Sequence, residues 1–419
     1  MDRWPRKLLL AISALVVSIV LLGPLAVRGL DQDGFYTQLR LFTDVMGKVR
    51  KNYVEEVESS KLLRGALFGL TDGLDPFSGY LDGEQLVAYM ESRARQRAEV
   101  GIEIAKRGLD YGYVLAVREG GPAWSAGVRS GMMLRAIDKV STFDLPLFEI
   151  EKRLTGADHS SVELSVQQPD EREPTSVTVS RDVWRGPKVQ VEQPRPGAVT
   201  ARLLSLEPGA ARELAAALET LPLQQDTALL LDLRDLESSQ LEEAARVADL
   251  FLRDGTVATR MARGRDGEEL RAAVDQVPSE SLSRVAVLVN QGTAGASEAI
   301  AAALKNLAGA KLLGTATFGK RSLQSLVPLQ EGAALLISTS RFRAAGDSPE
   351  AFASRHRIAD DSEDGEDPEA EEAAEIEPNA LRLQPDLEIP LEGESAEAYL
   401  QQRTLALEKL LAPEASSTS

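Results

Sequence analysis

The alternation of apolar and amphipathic segments in the second half of the chain constrains its fold more than any other feature. From Val199 onward, four apolar runs alternate with three segments of helical periodicity, in the order VTARLLSL, GAARELAAALETL, TALLLDLR, LEEAARVADLFL, RVAVLVN, SEAIAAALKNL and KLLGTAT. Strands covered by helices on both faces have near-continuous apolar sequences and form largely parallel sheets. We therefore expect a mixed α/β fold with an α/β domain over residues 186–345. Its site should lie in loops at the carboxyl ends of the strands.

A different pattern occupies residues 96–185. Five short strand-like segments, VGIEIAKR, YGYVLAVRE, MMLRAIDKV, SVELSVQQ and TSVTVSR, are separated by turn residues, with helices expected at PAWSAG and PLFEIEKRLTG. This order resembles a PDZ domain, in which SPAxxAGxxxGD and IDGxxT follow successive strands. The matching residues are Pro122, Ala123, Ala126, Gly127, Gly131, Ile137, Asp138 and Thr142. The resemblance implies a peptide-binding β module at residues 96–185.

The N-terminus carries an uncharged apolar segment. Residues 8–27 read LLLAISALVVSIVLLGPLAV and follow Arg3, Arg6 and Lys7. About 20 apolar residues are enough to cross a bilayer as a helix, and preceding basic residues keep the N-terminus cytoplasmic. A cleaved signal peptide is the alternative, but its small-residue cleavage pattern is weak here. We expect an anchor over residues 1–30 and the rest of the chain outside the cell membrane, on the periplasmic side.

The remaining segments frame these domains. A helical lead-in is expected at residues 31–95, where α-helical spacing places Leu39, Phe42, Val45, Met46 and Val49 on one face. Eleven acidic residues and no basic one lie between residues 360 and 377, which predicts an acidic, disordered insertion over residues 346–380. Residues 381–419 are expected to add a strand and a helix that complete the core.

Composition excludes several classes of function. The 419 residues include no cysteine, which rules out disulfides, thiol catalysis and thiolate metal sites. A formal net charge of −18 argues against nucleic-acid binding. Only two histidines are present, His159 and His356, too few for a histidine-based metal site. We expect neither a metal nor a cofactor.

The order of anchor, lead-in, PDZ-like module and α/β domain, together with specific motifs, resembles the C-terminal processing (tail-specific) serine peptidases. The resemblance covers nearly the whole chain after the anchor. The motifs are NYVEEVESSKLLRGALFGLTDGLDPFSGYL, the PDZ-like segment, LLLDLR with VADLFL, and the stretch from VLVNQGTAGASEAI to TFGKRSLQ. In that family the last stretch reads approximately N-x-G-S/T-A-S-A-S-E-I through T-F/Y-G-K-G-x-x-Q.

The resemblance implies a serine nucleophile with a lysine base, and the nucleophile is missing. The lysine position is Lys320, and the glutamine that supports it in the family falls on Gln324. The family's serine lies 25 positions before its lysine, which here is Gly295. The alignment has no gap to adjust. Glycine has no side chain, so no acyl-enzyme can form at this position.

Two further departures from the family pattern concern binding loops. The family's Asn-x-Pro-Gly-Gly turn, which contributes to the oxyanion hole, is replaced at Glu237, Ser238 and Ser239; Ser238 and Ser239, with Ala296, are the oxyanion-loop equivalents. The family's PDZ carboxylate-binding loop, roughly Gly-Gly-Ile-Gly-Ile-Glu, corresponds to the stretch from Ala98 through Glu99, Val100, Gly101, Ile102 and Glu103. Glu99 would repel a C-terminal carboxylate, and Arg97 is the candidate to offset it.

Three functions are compatible with these residues. The first is an anchored pseudopeptidase that binds a peptide, a protein, an active peptidase or an envelope complex without cleavage. The second is an active endopeptidase that uses a displaced hydroxyl, Ser297 or Thr293, with Lys320; the alternative role of Ser297 is to cap its helix. The third is an adaptor that works through the PDZ-like module. The sequence leaves oligomerisation open.

Overall fold

The computed structural model describes residues 32–94, 98–106, 110–143, 145–221, 227–272, 282–348, 352, 381–393 and 395–412. The expected anchor at residues 1–30 and nearly all of the expected acidic insertion lie outside the described residues. Among the helices of the described ranges, none has the length and apolarity that a bilayer crossing requires. The chain divides into two units, Met1–Leu67 and Phe68–Ser419.

The described part of the first unit, residues 32–67, is mainly helical. Helix α1 spans Gln32–Asn52, and α2, Ser59–Asp72, begins in this unit and continues into the second. Basic residues in the last turn of α1, Arg50 and Lys51, complement the negative end of the helix dipole. Apolar side chains lie along one face of α1, as expected, and several of them are exposed.

The second unit contains the PDZ-like module, preceded by strand β1 and helix α3. The elements are β1 (Gly79–Leu81), α3 (Gly83–Ala94), β2 (Ala98–Glu99), β3 (Ile102–Ala105), β4 (Gly112–Val117), α4 (Pro122–Ser125), β5 (Met133–Ile137), β6 (Val140–Ser141), α5 (Leu147–Leu154), β7 (Thr155–Gly156), β8 (Ser161–Gln167) and β9 (Thr175–Ser180). An antiparallel sheet runs β3-β4-β5-β8-β9, with β6 beside β5; β2 pairs with β7. Its core includes Val114, Leu134, Ile150 and Leu164.

The α/β domain follows. Its elements are β10 (Val189–Arg195), β11 (Ala198–Leu203), α6 (Ala210–Glu219), β12 (Thr227–Asp232), β13 (Glu237–Ser238), α7 (Leu241–Asp249), β14 (Gly255–Ala262), β15 (Glu268–Ala272), β16 (Leu282–Val289), β17 (Ala294–Gly295), α8 (Ala296–Ala308), β18 (Lys311–Gly314), β19 (Ser322–Pro328), β20 (Ala334–Ala344), β21 (Leu387–Glu388) and α9 (Ala396–Leu411). The main sheet runs β10-β11-β12-β16-β18-β21 and is parallel from β11 onward. The expected α/β class with a largely parallel sheet is confirmed.

A second, antiparallel sheet was not predicted. It runs β1-β20-β14-β15, with β19 also paired to β20. Strand β1 lies within residues 31–95, which were expected to form a helical lead-in. Three residues are too few to show a period of two, so its pairing with Ala334–Leu336 is visible only in three dimensions.

Helix α8 packs against strands of both sheets. Residues 296–304 are fully buried, and α8 contacts β14 and β20 of the second sheet and β16 and β18 of the first. A helix covered on all sides needs small side chains where the backbones approach closely, which explains its alanine content. The first turn of α8 therefore has a fixed position, and the predicted nucleophile position lies immediately before it.

Candidate active site

Gly295 lies at the turn between β17 and α8, in a backbone conformation that side chains disfavour. Its φ is 67° and its ψ is −130°. A Cβ added at Gly295 would lie 2.3 Å from the carbonyl oxygen of Ser238, a contact that only a backbone shift can relieve. A residue with a side chain would meet both the strain of positive φ and this collision. The local structure therefore fits glycine and opposes serine.

The loop expected to form the oxyanion hole pairs with this turn. Glu237 lies opposite Ala294 and Ser238 opposite Gly295 in a short parallel ladder between β13 and β17. Stabilising an oxyanion requires N–H donors aimed at it. Beside Gly295 lies instead the Ser238 carbonyl, which is an acceptor. The Ser238 hydroxyl accepts a bond from the backbone N–H of Gln240 (3.0 Å), just before α7.

The other two oxyanion-loop equivalents lie beside this ladder. Ser239 is exposed, and Ala296 is a buried first residue of α8. Ser239 is open to solvent and Ser238 directs an acceptor at Gly295, so this loop presents a carbonyl beside the position where the resemblance implies an oxyanion-hole turn.

Lys320 is held in an ion pair. Its Nζ donates to Glu237 Oε1 at 2.6 Å, and the two side chains are 7% and 11% exposed. The ammonium also lies 4.2 Å from the centre of the Phe77 ring, a cation–π distance. A general base must offer a free lone pair to the proton it abstracts. An ammonium that donates to a carboxylate and lies over an aromatic face has no such lone pair.

Glu298 ties the first turn of α8 to the loop that carries Lys320. Its Oε2 accepts from the backbone N–H of Gly295 (3.1 Å), and its Oε1 accepts from Gly319 N–H (2.9 Å) and Thr317 Oγ1 (2.5 Å). Burial raises the pKa of Glu298, although the Arg321 charge and these hydrogen bonds act in the opposite direction. This carboxyl group holds the geometry of the site.

The two alternative hydroxyls are bound to backbone carbonyls. Ser297 Oγ is fully buried and lies within hydrogen-bond distance of Leu236 O (2.5 Å) and Ala294 O (2.8 Å). Thr293 Oγ1, also fully buried, donates to Leu233 O (2.8 Å). The expected cap at Ser297 is wrong in form, because a capping oxygen accepts from helix N–H groups, whereas Ser297 donates to carbonyls.

Gln324 does not support Lys320. Its amide nitrogen donates to Ser322 Oγ (3.0 Å) and Ser338 Oγ (2.9 Å), and among the described hydrogen bonds none joins it to Lys320. The expectation taken from the resemblance is therefore wrong for this chain. Gln324 lies on β19, and its partners lie on β19 and on the neighbouring β20.

Residues 200–361 match the model of peptidase family S41. The α/β domain that contains these residues is named the S41 domain after this match. The chain is 29% identical over 320 residues to the carboxy-terminal-processing protease of Bartonella bacilliformis, covering 74% of this chain and 72% of that protein. It is 27% identical over 301 residues to a probable CtpA-like serine protease of Staphylococcus aureus strain COL, covering 71% of this chain and 60% of that relative.

A solved structure shares the fold of this chain. The photosystem II D1 C-terminal processing protease matches with a TM-score of 0.61 at 22% sequence identity, covering 86% of this chain and 96% of that one. The likeness extends beyond the S41 domain and concerns the fold alone.

The S41 domain and the PDZ-like module meet through a loop that leads to Glu237. Asp235, at a φ of 56°, accepts from Ser130 Oγ of the module (2.5 Å) and from Asn290 Nδ2 (3.0 Å). Asn290 Oδ1 in turn accepts from the Asp235 N–H (3.0 Å), and Gln291 Nε2 donates to Ser130 O (2.8 Å). The module thus contacts the loop two residues before the carboxylate that binds Lys320.

Buried ion pairs extend this interface, and the sequence did not identify them. Arg202 binds Asp232 (2.6 Å) in the S41 domain and Glu119 of the module (2.7 Å). Arg234 binds the same aspartate through two nitrogens, at 2.9 and 2.7 Å. Burial opposes the ionisation of Asp232, but the charges of Arg202 and Arg234 outweigh it and hold the pKa of Asp232 well below its usual range. The LLLDLR motif is the only sequence signal of this network.

Glu99 of the predicted carboxylate-binding loop forms an ion pair with Arg118. The Glu99 carboxylate lies 2.7 Å from Arg118, whose guanidinium lies 5.2 Å from the Trp184 ring centre; Arg97 lies outside the described residues. The Val100 carbonyl accepts from Ala123 N–H (3.0 Å). A cavity of about 360 Å³ opens here, lined in part by these side chains and by Gly120, Gly121, Pro122, Ser125, Ser180, Asp182 and Val183.

The remaining residues of the predicted carboxylate-binding loop lie towards the candidate active site around Gly295. Gly101 has a φ of 79°, and Ile102 and Glu103 begin β3. The Glu103 side chain has solvent access at the surface, yet the mass of protein around it limits its hydration. That limited hydration, followed by the charges of Glu237, Glu99 and Glu151, raises the pKa of Glu103 to about 8. These carboxylates therefore produce a negative electrostatic potential that extends from the PDZ-like loop to the region of Glu237 and Gly295.

One group among the described residues offers metal-type ligands. Oxygen or nitrogen atoms of Asp158, His159 and Asp182 lie within 4.8 Å of one another. His159 is 77% exposed, and Asp158 accepts from Arg185 (3.2 Å) and from the Val183 N–H (3.1 Å). These contacts account for the cluster as a surface hydrogen-bond network.

Proposed function

We propose that this protein is a membrane-anchored, extracytoplasmic pseudopeptidase of the C-terminal processing type, which binds peptide or protein partners without cleaving them. The observation that carries the proposal is the Ser238 carbonyl, which lies 2.3 Å from the position a Cβ at Gly295 would occupy. The nucleophile is absent, and backbone fills the space that its side chain would need.

The ion pair between Lys320 and Glu237 supports the same conclusion independently. A lysine base must be neutral near the working pH, and burial without a counter-ion is how proteins achieve this. Here a carboxylate lies 2.6 Å from the amine. The buried hydroxyls of Ser297 and Thr293 bind backbone carbonyls, which argues against the alternative of a displaced nucleophile.

The experiment uses full-length protein and a labelled, unstructured polypeptide. We expect no cleavage above the level of Lys320→Ala, and no labelling by a serine-reactive fluorophosphonate under conditions that label an active family S41 peptidase. Cleavage that Lys320→Ala abolishes would falsify the proposal. Carbonate extraction of membranes from cells tests the anchor separately, and release of the full chain would overturn that part.

The adaptor function is favoured by the cavity beside Glu99 and Arg118. The two candidates differ in the surface that binds the partner. Because buried ion pairs join the module to the S41 domain, deleting the module would expose charges, so point variants are preferable. Arg118→Gln should weaken binding if the module is the working surface, whereas Glu237→Gln should weaken it if the former active site contributes.

A further inference from the structure

Strand β3 of the PDZ-like module is open to pairing along one edge. Strand β4 pairs with it on one side, and among the described strands none pairs with it on the other. Helix α5 contacts β3 and buries Ile150 and Leu154 in the core of the same module. An open strand edge can take up an extended peptide as an additional strand. A peptide bound to this edge would therefore lie near α5, and we call this place the β3–α5 groove.

Acidic side chains flank the β3–α5 groove. Glu103 is exposed on β3, and Glu151 is half-buried on α5. Limited hydration raises the pKa of Glu103, and the charges of Glu237, Glu99 and Glu151 raise it further. Arg118 acts in the opposite direction, but its effect is smaller than that of any of these three carboxylates. Glu103 therefore lies within range of three other carboxylates, and the electrostatic potential at the groove is negative.

The basic side chains of α5 are held by another glutamate. Lys152 Nζ and Arg153 Nε lie 3.8 and 3.4 Å from the carboxylate of Glu149. Two residues along an α-helix turn by roughly 200° about its axis, so Glu149 and Glu151 lie on different sides of α5. The positive charges of this helix are thus drawn to Glu149, and they leave the negative potential at Glu103 in place.

The charge at the groove determines which kind of peptide it can bind. A free C-terminal carboxylate would add a negative charge near Glu99 and Glu103, and like charges at short range repel. A lysine or arginine side chain would instead form charge-assisted hydrogen bonds with the same carboxylates. Successive side chains of a strand point to opposite faces, so basic residues at alternate positions of a bound peptide share one face.

We propose that the β3–α5 groove binds an internal peptide segment that carries lysine or arginine, and that it rejects a free C-terminal carboxylate. This inference rests on the proposed function, which is to bind peptide or protein partners without cleavage, and it names the class of partner. Glu103 and Glu151 contact the basic side chains, and Arg118 holds Glu99 in position through their ion pair at 2.7 Å. Matching of opposite charges across an interface gives specificity.

Fluorescence anisotropy with the full-length protein in detergent tests this charge preference. The probe is a labelled decapeptide of alternating threonine and lysine with an amidated C-terminus. We expect its Kd to be at least about tenfold lower than that of the same peptide with acetyl-lysine, which is neutral. Restoring a free carboxylate at the C-terminus should not lower the Kd. Equal affinity for the lysine and acetyl-lysine peptides, or tighter binding of the free-carboxylate form, would overturn the proposal.

Matched charge removals locate the binding surface. Glu103→Gln and Glu151→Gln should each raise the Kd of the lysine peptide at least about threefold, whereas Glu149→Gln, the same change on the other side of α5, should alter it less than about 1.5-fold. Equal effects of all three would show general attraction to a chain of net charge −18 and would contradict the proposal. Full displacement by spermine at an equal concentration of positive charge would also contradict it, because a small cation would then be sufficient.

Mass spectrometry of the incubated lysine peptide tests the proposed function separately. Cleavage would contradict the pseudopeptidase and leave the charge preference in place. Loss of the charge preference without cleavage would remove the inference about the groove and leave the pseudopeptidase in place.

Discussion

Glu237 Oε1 lies 2.6 Å from Lys320 Nζ, although 83 residues separate them in the chain. The pair occupies the place where a family S41 peptidase is expected to keep a free amine. It couples the loop after β12 to the loop after β18, and Phe77 covers the ammonium. We therefore expect the stability of the site, and the absence of cleavage that we propose for it, to depend on this contact.

Breaking the pair from one side should destabilise the protein. Glu237→Gln leaves a nearly buried ammonium without its carboxylate, and we expect a loss of about 2–4 kcal/mol in the free energy of unfolding. Urea denaturation of Glu237→Gln, Lys320→Met and the double variant should give a coupling energy of about 1–3 kcal/mol. The exposed pair Lys48–Asp44 is the control, with an expected coupling below about 0.5 kcal/mol. A coupling near zero at the buried pair would contradict this account.

Restoring the serine should not restore activity. Gly295→Ser forces a side chain into positive φ, at about 1–3 kcal/mol, and adds a collision with the Ser238 carbonyl. The matched control is Gly264→Ser, where φ is 68° and nothing lies within 4 Å of the added Cβ. In urea denaturation, the free energy of unfolding should fall by at least about 1 kcal/mol more in Gly295→Ser than in Gly264→Ser. A gain in peptide cleavage from Gly295→Ser would show that the loop at Ser238 adjusts readily.

Glu103 should make stability fall as the pH rises. Its pKa is raised from 4.5 to about 8, so between these values the folded chain holds a proton that the unfolded chain releases. Its contribution to stability is present below about pH 4.5 and is lost progressively towards pH 8. Glu103→Gln should therefore gain stability relative to the parent as the pH goes from 5 to 8, measured by thermal unfolding. Glu192→Gln, a substitution at an exposed glutamate, is the control, and its stability should change with pH as that of the parent does. Identical pH profiles of stability for Glu103→Gln and the parent would refute the assignment.

Asp232 should be essential to the interface between the two domains. Asp232→Asn leaves Arg202 and Arg234 buried without their common carboxylate, and we expect a loss of about 3–5 kcal/mol. Asp386→Asn breaks a half-exposed ion pair with Lys305, and its free energy of unfolding should fall by less than about 1 kcal/mol. Because the pKa of Asp232 is lowered from 3.8, its contribution is present above that value and lost below it. Although burial opposes it, the pKa of Asp386 is also lowered, by hydrogen bonds from Lys305 and the Leu312 N–H, so acid titration should show a larger loss of acid sensitivity in Asp232→Asn than in Asp386→Asn.

The sequence indicated where in the chain the candidate site lies, but it did not indicate which side chains contact each other there. Counting back from Lys320 to Gly295 works because strand and helix lengths around them are fixed by packing. The sequence also placed Glu237 beside the site, as a residue of the replaced oxyanion turn and not as the partner of Lys320. A side-chain contact between two distant loops depends on the direction of each backbone, which residue patterns do not encode.

Other contacts were missed for the same reason. Arg118 has no sequence signal that marks it as the partner of Glu99, because the contact depends on the path of the chain directly after strand β4. The pairing of β1 with β20 joins segments about 250 residues apart, and β1 is too short to show periodicity. Elements with long, regular patterns were predicted well, whereas short elements and loop contacts were not.

Helix α8 is packed against two sheets, and that position separates what selection on folding preserves from what selection on catalysis preserves. Its alanines must persist for the core to close, whether or not a nucleophile precedes them. The stretch GASEAI can therefore fold in the same way with or without a nucleophile before the helix. Among relatives with this motif, the residue before the helix and the partner of the lysine are better guides to activity than the motif itself.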